Sequence, residues 1–140
     1  MPAYLALIGP RYSASTRAGV VLELARSHMD ITETKSGGTL VMAPNGRVDA
    51  ASAEGFHERL LGCIAGGETS VLLDLVHLEY ISSAGLRSLL TAAKRLQACD
   101  GRFAVCALTG KVREVFQASG VETLIEVHPD RATALQRLSQ

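Results

Sequence analysis

Tryptophan is absent and aromatic residues make up 4% of the 140-residue chain, so any core must be mainly aliphatic. Cysteine is scarce: Cys63, Cys99 and Cys106 are odd in number and widely spaced, with no CxxC pair and no Cys/His cluster. That pattern excludes a disulfide scaffold and a zinc site, and fits a reducing, cytoplasmic compartment. Neither charge sign dominates, since 14 Lys+Arg balance 14 Asp+Glu. A nucleic-acid binder carries a basic excess that replaces phosphate counterions, and a polybasic membrane anchor needs the same; neither is present. No apolar run approaches the roughly 18–20 residues that span a bilayer, so no membrane insertion is expected. The four histidines (His28, His57, His77, His128) stand singly, without HxxxH or HExxH spacing. No GxGxxG or GxxxxGK(S/T) loop occurs, so the sequence suggests neither a metal nor a nucleotide cofactor.

What is present suits one folded domain: 47% of residues are hydrophobic and 20% charged. Residues 1–28 stand apart, with three Arg and one Glu (+2) against 11 Lys+Arg and 13 Asp+Glu (−2) in residues 29–140. This segment holds Pro2, Pro10 and the run Ser13–Thr16, and has no basic region before its short apolar stretch, unlike a signal peptide. It reads as an atypical N-terminal extension: a start placed too early, foreign residues, or an extension packed on the domain. The domain is expected to span residues 29–140.

Within that span the patterning alternates. Asp30–Lys35 is β-branched and reads as an edge strand, followed by the turn signal Gly37-Gly38 and a second strand from Thr39 toward Val48. Phe56, Leu60, Leu61 and Ile64 recur at helical spacing, with Asp49 as a candidate N-cap and Gly66-Gly67 as the stop. Val71–Leu75 and Phe103–Leu108 are short and almost wholly apolar, as strands covered on both faces are. Leu86, Leu89, Leu90, Ala93 and Leu96 mark the longest helix. Val112, Val115 and Phe116 mark another, capped by Thr109 and ended at Ser119-Gly120. A strand at Leu124–Val127 and a helix opened by Pro129 or Asp130 complete the set. The expected fold is α/β: one mixed, mostly parallel sheet of four to five strands with about four helices packed against it.

The densest group of chemistry-bearing residues is Tyr80-Ile81-Ser82-Ser83-Ala84-Gly85-Leu86, which joins a strand region to the longest helix. A helix start presents unpaired N–H groups and a partial positive charge, both favourable to a phosphate on a serine there. The same serines can simply cap the helix. Gly85, a poor helix former, implies close approach of another backbone. A serine hydrolase built on Ser83 fits poorly: a nucleophile elbow needs a glycine where Ile81 stands, and His128 is the one histidine downstream.

Residues 29–140 resemble a STAS domain of the bacterial anti-sigma factor antagonists. The resemblance rests on Gly46-Arg47-Val48-Asp49, on Asp74-Leu75, on Tyr80 to Leu86, on Phe103–Leu108, and on the helix that ends at Ser119-Gly120. It implies a binding protein without catalytic activity. The unphosphorylated form would dock on an anti-sigma factor that is also a serine kinase, and so release the sigma factor. Phosphorylation at Ser83 would end the docking, and a PP2C-type phosphatase would reverse it. The family's loop usually reads Asp-Ser-Ser/Thr-Gly, with the first serine as acceptor. Here Ser82 replaces the Asp and Ala84 the following hydroxyl, so Ser82 is the alternative acceptor. Asp49, Ser82, Ser83, Ala84, Gly85 and Leu86 are the implied partner-binding residues. Those departures also leave room for a STAS scaffold or transporter-accessory subunit that never cycles phosphate.

Overall fold

The structure, a computed structural model, describes residues 30–140. The extension at 1–28 lies outside the described residues. β1 (Asp30–Ser36) and β2 (Thr39–Val48) form an antiparallel hairpin, with Ser36 opposite Thr39 and Asp30 opposite Asn45. Its two turn residues, Gly37 and Gly38, have φ of 53° and 91°, a pairing that suits a tight hairpin and that side chains with a Cβ resist. The chain continues through α1 (Ala53–Ala65), β3 (Ser70–Asp74), β4 (Leu78–Ile81), α2 (Ser83–Ala98), β5 (Arg102–Cys106) and α3 (Gly110–Ser119). A 3₁₀ turn (Val121–Thr123), β6 (Glu126–His128) and α4 (Arg131–Leu138) follow.

The strands lie in the order β1-β2-β3-β5-β6, and every pair after the first hairpin is parallel. β4 pairs with the far end of β2, beyond the point where β3 leaves it. Pro44, with no N–H to give, falls between those two partners, after Met42 and before Gly46. The described residues therefore form six strands, one more than the sequence patterning marks. Leu78-Glu79-Tyr80-Ile81 is too short to show a period, but Leu78 and Ile81 are buried at its two ends.

One face of the sheet carries the larger core. Val71, Leu73, Phe103 and Val105 pack there under Phe56 and Leu60 of α1, Leu89 and Leu96 of α2, and Phe116 of α3. On the other face Val41, Leu72, Ala104 and Cys106 meet Ala134 and Leu138 of α4. β3 and β5 are thus covered on both sides, which is why they read as unbroken apolar runs.

Thr109 occupies the N-cap of α3 as expected, though its side chain makes no bond there. Two local expectations are corrected. Asp49 is not the N-cap of α1; Ser52 holds that position, and its side chain makes no capping bond to the helix. The last strand starts at Glu126, because the chain first turns through Val121–Thr123 and leaves Leu124 68% exposed. Asp130 caps α4 as expected, accepting from the Thr133 N–H at 2.7 Å.

Candidate functional site

β2 and β4 end side by side. Arg47 pairs with Tyr80 and Val48 with Ile81, in parallel register. The Ser82 N–H then donates to the Val48 carbonyl at 2.7 Å. The chain therefore enters α2 beside the turn that starts at Asp49. Val48 and Ile81 are buried in the larger core and hold both turns to it.

Ser82 is the N-cap of α2, in extended backbone conformation, and its Oγ accepts from the Gly85 N–H at 3.2 Å. Ser83 is the first helical residue and, like Ala84, is exposed. Among the described residues no hydrogen bond ties the Ser83 hydroxyl to a histidine or a carboxylate. The hydroxyl is presented outward, at the positive end of a 16-residue helix.

Gly85 and Leu86 face inward. A Cβ on Gly85 would lie 2.7 Å from a carbon of Ile81 and 2.7 Å from one of Val48. The close approach inferred from this glycine is real, but it comes from two buried side chains and not from backbone. These two residues shape the turn from beneath; Ser83 and Ala84 form its exposed surface.

Asp49 organises the neighbouring turn. Its Oδ1 accepts from the Ala51 N–H at 3.1 Å, the Ser52 N–H at 3.2 Å and the Ser52 hydroxyl at 3.2 Å. Desolvation works against its charge, but the Ser52 and Ala51 hydrogen bonds and the nearby Arg47 outweigh it, holding the carboxyl below its usual range. Arg47 Nε lies 3.7 Å from Asp49 Oδ2, and its guanidinium sits 4.7 Å from the centre of the Tyr80 ring. Sequence reasoning missed the Arg47–Tyr80 pair, because it becomes visible only once β4 is known to lie on β2.

A second link missed in the sequence supports α2 from α1. His57 Nδ1 lies 2.7 Å from Ser88 Oγ, and that hydroxyl donates to the Ala84 carbonyl at 3.3 Å. Ser88 is buried, so this pairing satisfies a polar group on the apolar face of α2.

Asp74, at the end of β3, is buried and accepts from the Val76 N–H at 3.1 Å and from Arg131 Nε at 2.8 Å. Its carboxylate binds loop backbone and α4 instead of joining the Ser83 turn. A depression of about 430 Å3, lined in part by Asn45, Val76, His77, Thr109 and Lys111, opens to solvent at the start of β4. Among the described residues no three His, Cys, Asp or Glu side chains gather to hold a metal, and no helix is long and apolar enough to cross a membrane.

The chain is similar to known proteins in both sequence and fold. Residues 30–134 match the family model described as STAS domain. BtrV of Bordetella bronchiseptica, named as an anti-sigma factor antagonist, is 41% identical over 106 residues, covering 76% of this chain and 91% of the relative. Among solved structures, an anti-sigma factor antagonist from Mycobacterium paratuberculosis superposes with a TM-score of 0.75 at 20% identity, covering 81% of this chain and 97% of that one. SpoIIAA of Bacillus in its phosphorylated form gives a TM-score of 0.61 at 22% identity, covering 77% and 98%. At these identities the structural likenesses show a shared fold.

Proposed function

This chain belongs to the STAS domain family, and we propose that it is an anti-sigma factor antagonist switched by phosphorylation of Ser83. Its activity is binding. In the bare form the surface around Ser83, Ala84 and Asp49 docks on an anti-sigma factor that is also a serine kinase, which frees the sigma factor. The kinase transfers the γ-phosphoryl group of its ATP to Ser83 Oγ, with release of ADP and loss of the hydroxyl proton. A PP2C-type phosphatase hydrolyses the ester. All of this suits a cytoplasmic protein.

One observation carries the reading: an exposed hydroxyl at the first position of α2, on a turn fixed from beneath by Val48, Ile81 and Gly85. A phosphate there adds about −1.5 to −2 charge at pH 7. The helix N-terminus favours that charge, so the fold need not change. A packed protein surface must desolvate or repel it, and a loss of about 4 kcal/mol weakens binding roughly a thousandfold. The fold also occurs in SpoIIAA, whose phosphorylated form has been solved.

Ser82 and Ala84 depart from the family's usual loop residues, which favours a second reading, a STAS scaffold or transporter-accessory subunit that does not cycle phosphate. Incubation of the full chain with its cognate kinase and ATP, followed by mass spectrometry, separates the two. The switch requires phosphate on Ser83 and none on the Ser83→Ala variant. Phosphate confined to Ser82, or no phosphate, overturns it.

A further inference from the structure

Given Ser83 as the acceptor, we propose that Arg87 is the positioning residue that receives its phosphate. Both residues lie on α2, four apart, and both are exposed. Residues at that spacing are neighbours on a helix surface, and helical side chains lean toward the N-terminus. Arg87 therefore reaches back over the turn that Ser83 begins.

The first turn of α2 contains no acidic side chain. Among the described residues no carboxylate lies within ion-pair distance of Arg87, including Glu54 and Glu58 of the neighbouring α1. The other arginine near the turn, Arg47, is already engaged by Asp49 at 3.7 Å and by the Tyr80 ring at 4.7 Å. His57 on α1 is bonded to Ser88. A phosphate on Ser83 brings negative charge and three acceptor oxygens to the helix surface that Arg87 shares. Arg87 then holds the phosphate on the surface of α2, as a fixed dianion that meets an approaching partner.

The test places phosphoserine at position 83 of the full chain during synthesis and follows the phosphate by phosphorus NMR across pH. A free phosphoserine has its second pKa near 6. Arg87→Ala should raise the value seen in the otherwise unaltered phosphoprotein by about half a unit, the size expected of an exposed ion pair. Arg87→Lys should restore most of the difference, and Arg47→Ala should leave the titration unchanged. Superimposed titrations for the parent phosphoprotein and Arg87→Ala, or a shift produced by Arg47→Ala instead, overturn the assignment. Because the phosphate is installed without a kinase, failure of a kinase to modify Ser83 counts against the proposed function and not against this pairing.

Discussion

Gly85 packs against Val48 so tightly that a single added methyl would lie 2.7 Å from Val48 Cγ1, well inside contact distance. Ile81 closes the other side at the same 2.7 Å. Two effects compete in Gly85→Ala. Helix propensity favours alanine by about 1 kcal/mol. Overpacking against two buried, β-branched side chains costs about 1–3 kcal/mol. The clash wins, so Gly85→Ala should lower the urea midpoint. Adding Val48→Ala should fail to deepen the loss by the full cost of a new cavity, because it also relieves the clash. A Gly85→Ala protein as stable as the parent would show that the turn is not so closely held.

Ser82 caps α2 through a bond to the Gly85 N–H. Ser82→Ala should cost about 1 kcal/mol of unfolding free energy, and Ser82→Asp should retain the cap and the stability. Both are measured by denaturant unfolding. Equal stability of the alanine and aspartate variants would separate Ser82 from the capping role.

Glu126 supplies a pH-dependent stability. Burial raises its pKa, but the bond to His128 at 2.6 Å and the bond to Arg102 at 3.3 Å outweigh it, holding the carboxyl below its usual range. A carboxyl with a depressed folded pKa contributes in full above its unfolded pKa, and the contribution disappears as pH falls through the folded value. The parent should therefore lose more stability than Glu126→Gln between about pH 5 and pH 3. Unfolding curves for the two proteins that stay parallel through this range would contradict the pairing.

Much of the fold was legible because each buried strand and helix had a period or an unbroken apolar run. β3 and β5 announced themselves through Val71-Leu72-Leu73 and Phe103–Cys106, buried on both faces. β4 did not, since four residues with two exposed or half-exposed positions show no period, and its partner lies about thirty positions upstream on β2. That one omission hid the Arg47–Tyr80 stack and the reason for Gly85. The turn at Ser82-Ser83 was visible in the residues, because a serine pair before a helical apolar stripe marks a helix start. Asp is a good cap, so the sequence favours Asp49 at the start of α1; Ser52 lies closer to the apolar stripe, and Asp49 instead closes the turn before it.

Charge on Ser83 should abolish docking while the scaffold persists. Isothermal titration calorimetry of the cognate anti-sigma factor kinase, against the bare chain and against the same chain carrying phosphoserine at position 83, tests it most directly. The bare chain should bind tightly and the phosphorylated one more weakly by roughly a thousandfold, about 4 kcal/mol, with their folded spectra alike. Equal affinities for the two forms would contradict it.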